Sequence, residues 1–350
     1  MKADHDESSY YLSWLLVLES WFSTLASMKK IAVFTSGGDA PGMNAAIRAV
    51  YKAGVHHGVE VWGIHRGFNG MIDGDAILLT DANTMGIVRR GGTILKSARS
   101  EAFRTPQGRA KGYQFLTDKG IEGLVAIGGD GTYRGVRTLR EEFNIPAIGI
   151  PGTIDNDLYG TDYTLGYDTA VNTAVECMDR IMDTAESHDR MFFVEVMGRD
   201  AGFIALNAGL ASGASGILIP EDPDDLKELY EVLAKQHKSG HNDPFLVVVS
   251  EGEKEGNAFW LADMVKSKYP GFDIRVSVLG HVQRGGSPAW FDRVLAAKLG
   301  VNATEALLAG KTDLAVGVKG EDIVFTPFED AVKLHRFPDA ETLRISKVLR

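Results

Sequence analysis

Three carboxylates stand out because of what precedes them. Asp130 lies in Gly128-Gly129-Asp130-Gly131-Thr132, directly after the apolar run Leu124-Val125-Ala126-Ile127. Asp155 and Asp157 lie in Gly149-Ile150-Pro151-Gly152-Thr153-Ile154-Asp155-Asn156-Asp157, after the apolar run that begins at Ile145. Each run reads as a short buried strand, and each polar segment as the turn beyond its carboxyl end. Ligands of open α/β sheets bind at such ends. Glycines there let the backbone approach phosphate. Carboxylates beside them can hold a metal or accept a proton. The pattern outlines a phosphoryl-transfer site. Taken alone, each acid keeps a plainer reading: Asp130 as the cap of a following helix, Asp155 as part of an Asx turn.

Cations are needed beside such a site. Arg99, Arg190, Arg199, Arg275 and Arg284 lie at or near the ends of expected elements, most beside Gly or Ser. A guanidinium keeps its charge and grips phosphate with paired hydrogen bonds. Single arginines are usually solvated. A set of them at element ends, in a chain of net charge −10, reads as an anion site set against the overall field. The same net charge argues against nucleic acid as a partner.

The elements that must position these groups alternate between strand and helix. Strands are expected at 31–35, 59–65, 124–127, 145–150, 191–196, 217–219, 245–249 and 276–279. Helices are expected at 45–56, 113–119, 171–185 and 224–235, the third from apolar residues at Val171, Ala174, Val175, Met178, Ile181, Met182 and Ala185. This alternation predicts largely parallel, doubly wound sheets. The turn Ser36-Gly37-Gly38-Asp39-Ala40-Pro41-Gly42 joins a strand to a helix N-terminus, where unpaired N–H groups can meet an anion. It is neither a dinucleotide fingerprint nor a Walker lysine loop. Residues 1–27 look foreign to the rest: Tyr10–Leu18 is too short to span a bilayer, and the acids before it have the wrong sign for a signal peptide. They are expected to be an extension outside the fold, with a membrane or partner anchor as the other reading. The single cysteine, Cys177, is expected to be buried, and the absence of a pair fits a reducing cytoplasm.

Five motifs together carry a resemblance. Thr35-Ser36-Gly37-Gly38-Asp39-Ala40-Pro41-Gly42-Met43-Asn44, the Gly128–Thr132 segment, Pro151–Asp157, Met197-Gly198-Arg199 and Gly280-His281-Val282-Gln283-Arg284-Gly285-Gly286 occur in the order found in ATP-dependent 6-phosphofructokinases. The chain resembles that family from about Met28 to Phe328. The Gly-Gly-Asp-Gly stretch alone is shared with NAD and lipid kinases; the combination is far more specific.

The resemblance implies two Rossmann-like three-layer α/β domains with largely parallel sheets. The larger, ATP-binding domain would take residues 28–165 and return at about 280–330. The smaller, sugar-phosphate domain would take 166–279, leaving 331–350 as a C-terminal tail. It also implies that Gly38, Arg99, Ser100, Gly129, Gly131 and Thr132 hold ATP, and that Asp130 holds its magnesium ion. Thr153, Ile154 and Asp155 would meet the moving phosphoryl group, with Asp155 as base for the sugar 1-hydroxyl. Met197, Gly198, Arg199, Glu251, His281, Val282, Gln283 and Arg284 would line the fructose 6-phosphate pocket. Arg190 and Arg275 would reach in from a neighbouring subunit of a homotetramer. The alternatives are a pyrophosphate-dependent member of the family and a non-catalytic sugar-binding module. Against the first, pyrophosphate users typically carry Asp at the position of Gly131 and Lys at that of Gly152.

The chain departs from bacterial relatives where they bind regulators. Counting from the flanking motifs, Arg48 is kept and Lys52 replaces an arginine. Asp75 and Met182 stand where arginines are expected, and Asn242-Asp243 where a lysine pair is. Weak or absent control by ADP and phosphoenolpyruvate is expected.

Overall fold

The computed structural model describes residues 28–239 and 244–349. Residues 1–27, expected to be an extension, and Asn242-Asp243 lie outside the described residues. Eleven strands form two sheets among the described residues: β1 (Lys30–Thr35), β2 (Glu60–Ile64), β3 (Ala76–Leu78), β4 (Gly123–Gly128), β5 (Ala147–Pro151), β6 (Met191–Val196), β7 (Gly216–Leu218), β8 (Phe245–Ser250), β9 (Ile274–Val278), β10 (Leu314–Lys319) and β11 (Asp322–Pro327). The first sheet has the order β11-β10-β5-β4-β1-β2-β3, and the second β7-β8-β6-β9. The second is parallel throughout, and the first is parallel except for its two edge strands.

Strand alternation sorts the core. In β1, Ile31 and Val33 enter one apolar cluster while Ala32 and Phe34 enter another on the opposite face, as a period of two requires. Both faces are buried, so the central strands read as continuous apolar runs. The helices Met43–His56 and Trp290–Leu308 cover one face of the first sheet, and Pro106–Lys119 and Asp130–Phe143 the other. In the second sheet, Phe192, Val194 and Val196 belong to the same cluster as Ile31 and Val33, whereas Met191 and Phe193 belong to a third. One core is therefore continuous from a face of the first sheet to a face of the second, and it fixes the cleft between the sheet ends.

Asp292, fully buried at the start of Trp290–Leu308, strengthens this junction. Its carboxylate accepts from the N–H groups of Gly166 at 2.8 Å and Thr169 at 2.9 Å. These are orphan donors at the N-terminus of Tyr167–Glu186, the helix that leads from the first sheet to the second. Burial pushes the Asp292 carboxyl up to about 6.

Several elements differ from the sequence reading. The edge strands β3 and β11, the strand β10 inside β11, and the helices Phe203–Ala211, Ala258–Lys268 and Trp290–Leu308 have no counterpart in the sequence reading. The last buries residues around most of its circumference, which erases the one-sided apolar stripe that marks a surface helix. β9 begins at Ile274, two residues before the expected strand. Cys177 is half-buried rather than buried. Residues 331–350 were expected to be a tail, yet Leu158 pairs with His335 and the helix Ala340–Val348 follows. Lys347 of that helix pairs with Asp222 and Glu228, each at 2.8 Å, so charge on a polar segment docks it where apolar patterning gave no signal.

Candidate active site

Three turns of the first sheet emerge side by side, because β1, β4 and β5 are parallel neighbours. Backbone hydrogen bonds tie them: Ser36 N–H to the Ile127 carbonyl and Gly152 N–H to the Gly128 carbonyl, both at 3.0 Å. The buried Thr132 hydroxyl donates to the Ser36 carbonyl at 3.3 Å. The glycines differ in what surrounds them. A Cβ at Gly131 would meet nothing within 4 Å, whereas one at Gly152 would lie 2.9 Å from the Ile127 methyl and 3.0 Å from Met43. Gly129 is open in the same way. The backbone is thus bared to the cleft at Gly129 and Gly131 and packed inward at Gly152.

Asp130 is the first residue of Asp130–Phe143. Its carboxylate lies 3.0 Å from Arg134 and 3.6 Å from Arg199. The second contact crosses from one sheet to the other. Asp155 is buried, and its own N–H donates to the Thr153 hydroxyl at 3.2 Å. Its Oδ1 is buried without a hydrogen-bond partner among the described residues. Burial raises the Asp155 pKa; Arg284, Thr153 and Arg199 pull it down, and Glu251 pushes it up. Asp157, two residues on, is pushed up to about 6, first by burial and then by Asp155. Between them Asn156 takes a left-handed φ of 54°, tolerable for Asn. Its side chain accepts from Thr164 N–H at 2.9 Å.

The second sheet supplies the facing turns. Met197-Gly198-Arg199 follows β6, and Glu251 follows β8. The Glu251 carboxylate accepts from the N–H groups of Gly198 at 3.2 Å and Arg199 at 2.6 Å. This fixes a turn in which Arg199 itself has a left-handed φ of 56°. The Gly280–Arg284 turn follows β9. Arg284 donates to the Asp39 carbonyl at 3.2 Å, and a Cβ at Gly38 would lie 2.6 Å from the Arg284 guanidinium. The first and last of the five motifs therefore meet in space, some 245 residues apart in the chain.

The structure does not gather all the candidates. Arg199, Arg284, Glu251, Thr153, Asp155, Asp130 and Gly38 converge. Ile154 is fully buried beside them, and Met197 and Gly198 are buried at the end of β6. His281 and Val282 are exposed, while Gln283 is buried and donates to the Gly280 carbonyl at 3.1 Å. Arg99 is exposed, its carbonyl accepting from Asn69, and the Ser100 hydroxyl accepts from Phe103 N–H. Arg190 and Arg275 lie elsewhere: both pair with Asp273, at 2.9 Å and 2.8 Å. Arg190 precedes β6, at the amino end of the sheet. A strand rise of about 3.3 Å per residue puts it roughly 23 Å from Met197. Sequence reasoning groups Asp157 with Asp130 and Asp155 for metal or proton work without a part of its own, and does not single out Asp273. The spacing Asp155-x-Asp157 was visible, but the burial that shifts Asp157 was not.

Comparison with known proteins decides the family. A profile of the family described as Phosphofructokinase matches residues 30–307. The chain belongs to the phosphofructokinase family. ATP-dependent 6-phosphofructokinase 1 of Thermus thermophilus is 54% identical over 322 residues, covering 92% of this chain and 99% of that protein. The ATP-dependent 6-phosphofructokinase of Staphylococcus carnosus is 52% identical over 304 residues, covering 87% and 93%. Among solved structures, phosphofructokinase from Saccharomyces cerevisiae superposes with a TM-score of 0.82 at 35% identity, over 92% of this chain and 46% of that one. A pyrophosphate-dependent phosphofructokinase from Marinobacter aquaeolei gives 0.79 at 23% identity, over 90% and 86%, which speaks for the fold alone. The expected fold class, two Rossmann-like three-layer units with largely parallel sheets, agrees with these neighbours. No helix among the described residues is long and apolar enough to cross a membrane.

Proposed function

We propose that this phosphofructokinase transfers the γ-phosphoryl group of ATP to the 1-hydroxyl of fructose 6-phosphate, giving fructose 1,6-bisphosphate and ADP, as a glycolytic step. The observation that carries the reading is the cross-sheet cluster: Asp155 with an unpartnered buried oxygen, Arg199 against Asp130, and Arg284 against the Asp39 turn. Phosphoryl transfer asks the protein for positioning and charge neutralisation rather than covalent chemistry. Asp155 accepts the proton of the sugar hydroxyl. Its raised pKa makes it a better base than an ordinary carboxylate, while Arg284 and Arg199 restrain the rise by favouring the carboxylate form. Gly38, Gly129, Gly131 and Thr132, with Arg99 and Ser100, form the nucleotide side. Met197, Gly198, Arg199, Glu251, His281 and Arg284 form the sugar-phosphate side.

A magnesium ion fits Asp130. Among the described residues no group of three or more His, Cys, Asp or Glu side chains could hold a metal by itself. Magnesium asks for only one or two carboxylates, completed by substrate phosphates and water. Asp130 at the edge of an open glycine turn is such a donor. When bound, the ion would neutralise charge on the transferring phosphates.

Two further assignments belong to this reading. The larger domain comprises residues 28–165 with the return near 280–330, and the smaller 166–279, with the 331–350 segment bridging them. The site is shared between subunits of a homotetramer, supported by Arg190 and Arg275 standing at the end of the second sheet away from their own cleft. A cytoplasmic location accords with the single cysteine. Against pyrophosphate as donor, Gly131 leaves open space where an Asp would stand against the nucleotide, and Gly152 leaves no room for a Lys without repacking. A coupled assay of purified chain with fructose 6-phosphate, magnesium, and either ATP or pyrophosphate tests the reading. Faster turnover with pyrophosphate, or none with ATP, overturns it.

A further inference from the structure

The C-terminal segment returns to the site at one residue. Arg336 donates its backbone N–H to the Asp157 carbonyl at 3.1 Å, and its guanidinium donates to the Asn156 carbonyl at 3.4 Å. The same guanidinium carbon lies 4.8 Å from the centre of the Phe203 ring. Phe203 opens the helix Phe203–Ala211, four residues after Arg199. Arg336 therefore touches both halves of the cleft: the turn that carries Asp155 and Asp157, and the segment that carries Arg199. The Tyr167 hydroxyl closes the same junction by donating to the Phe203 carbonyl at 3.3 Å.

Resting on the proposed function, we infer that Arg336 is a positioning residue that sets the acidic turn against the arginine turn. The chemistry suits an arginine. A planar guanidinium donates in its plane while its face lies on an aromatic ring, which a lysine ammonium cannot copy. The turn it grips needs holding: Asn156 sits in a left-handed conformation with its side chain turned inward to Thr164 and the Asp162 carbonyl. Its carbonyl is left to Arg336. Burial lowers the Arg336 pKa, and Asp162 foremost raises it, so the cation is partly desolvated and held. Loss of the brace lets Asp155 drift relative to Arg199. Misplacement by about 1 Å costs up to roughly a hundredfold in rate.

The test compares two anchors of the same segment in the full chain. Arg336→Ala removes the brace. Lys347→Ala loosens the docked helix through Asp222 and Glu228 without touching the turn. Arg336→Ala is expected to lower kcat about ten- to a hundredfold with the half-saturating ATP concentration little changed, while Lys347→Ala keeps kcat at an equal loss of Tm. Phe203→Leu, which keeps an apolar side chain but no ring, is expected to reproduce part of the kcat loss and to add nothing to Arg336→Ala. It also carries the test if Arg336→Ala fails to fold, again judged against Lys347→Ala. Equal kcat losses in the Arg336 (or Phe203) and Lys347 variants, independent multiplication of the Arg336 and Phe203 effects, or an Arg336→Ala kcat within twofold of the parent would each overturn the inference. A parent chain without kinase activity would sink the proposed function and this inference with it, whereas an active parent with an equally active Arg336→Ala overturns only the latter.

Discussion

The carboxylate of Asp155 on the first sheet is held by its own turn, whereas Arg199, which faces it from the second sheet, stands largely in the open. Asp155 is 7% exposed, and its turn is stitched by Thr153, Thr164 and Asn156. The Arg199 side chain is 60% exposed and makes only long ion pairs, 3.6 Å to Asp130 and 3.5 Å to Asp200; its backbone is fixed through Glu251. Arg190 and Arg275 share a single carboxylate, Asp273, away from the cleft. The acid side is preorganised, as a base that must act at a set distance requires. The cation side keeps freedom to close on an anionic substrate, and on the proposed reading part of it comes from another chain. Substitutions on the two sides should therefore fail in different ways.

The largest effect is expected on the acid side. Asp155→Ser should lower kcat by about a hundred- to ten-thousandfold and leave fructose 6-phosphate binding nearly intact, as read by single-turnover kinetics and titration calorimetry. Unchanged turnover would remove Asp155 as the base.

On the cation side the loss should fall on binding. Arg190→Ala should raise the half-saturating fructose 6-phosphate concentration by roughly ten- to a hundredfold, the worth of a charged hydrogen bond of about 1.5–3 kcal/mol. At fructose 6-phosphate well below the raised half-saturation of Arg190→Ala, mixing inactive Asp155→Ser chains with Arg190→Ala chains should raise the rate above either alone, since hybrids contain sites with neither lesion. If verified subunit exchange brings no recovery, the site is built from one chain.

A subtler contrast lies within the first sheet. Gly131→Asp meets open space, and Gly152→Lys meets Ile127 and Met43. The first should weaken ATP use while Tm stays put. The second should cost about 1–3 kcal/mol of stability through overpacking. Thermal unfolding beside ATP saturation separates the two. A Gly131→Asp variant that still saturates with ATP at parental concentrations would break the donor argument.

The two sides also meet in the proton chemistry. Burial holds the Asp155 pKa above its ordinary value, and Arg284 is the foremost influence lowering it. A base works only when deprotonated, so kcat/KM should fall as pH drops through the raised Asp155 pKa. Arg284→Gln removes a cation that favours the carboxylate, so this acid limb should move to higher pH. A limb that stays in place would uncouple Arg284 from Asp155.

How far these features were legible follows from what local sequence encodes. Apolar runs ending in glycine and acid marked β4 and β5, because a strand buried on both faces is a run of apolar residues. The five motifs marked the turns, where some glycines are bared to the cleft (Gly129, Gly131) and others leave no room for a side chain (Gly38, Gly152). Partnerships of high sequence separation were not legible: Asp292 capping a helix from across the chain, Arg284 reaching Asp39, and the return of residues 331–349. Each rests on polar contacts made only by tertiary folding, and no periodicity announces them.

The smallest effect is expected at the regulatory surface, where the prediction is an absence. A pocket for a phosphorylated effector needs several cations, since each phosphate must be neutralised. Here Lys52, where the family resemblance leads one to expect an arginine, pairs with Asp81. Lys52 foremost, and Arg48 more weakly, hold the Asp81 carboxyl below its ordinary pKa. Asp75 replaces another cation and is tied to His65 at 2.8 Å and Arg66 at 2.9 Å. Met182 packs against the core cluster, so it offers a thioether where a guanidinium is expected. Lys52 is thus paired internally, and a bound phosphate would have to displace Asp81 from it before gaining its charge. Fructose 6-phosphate saturation curves should superimpose with and without millimolar phosphoenolpyruvate or ADP. Asp81→Ala should sharpen the comparison by freeing Lys52: if effector binding then emerges, the pocket is masked by internal pairing, and if the curves still superimpose, the lost arginines are what abolish it. A large shift in half-saturation for the parent chain would sink the idea.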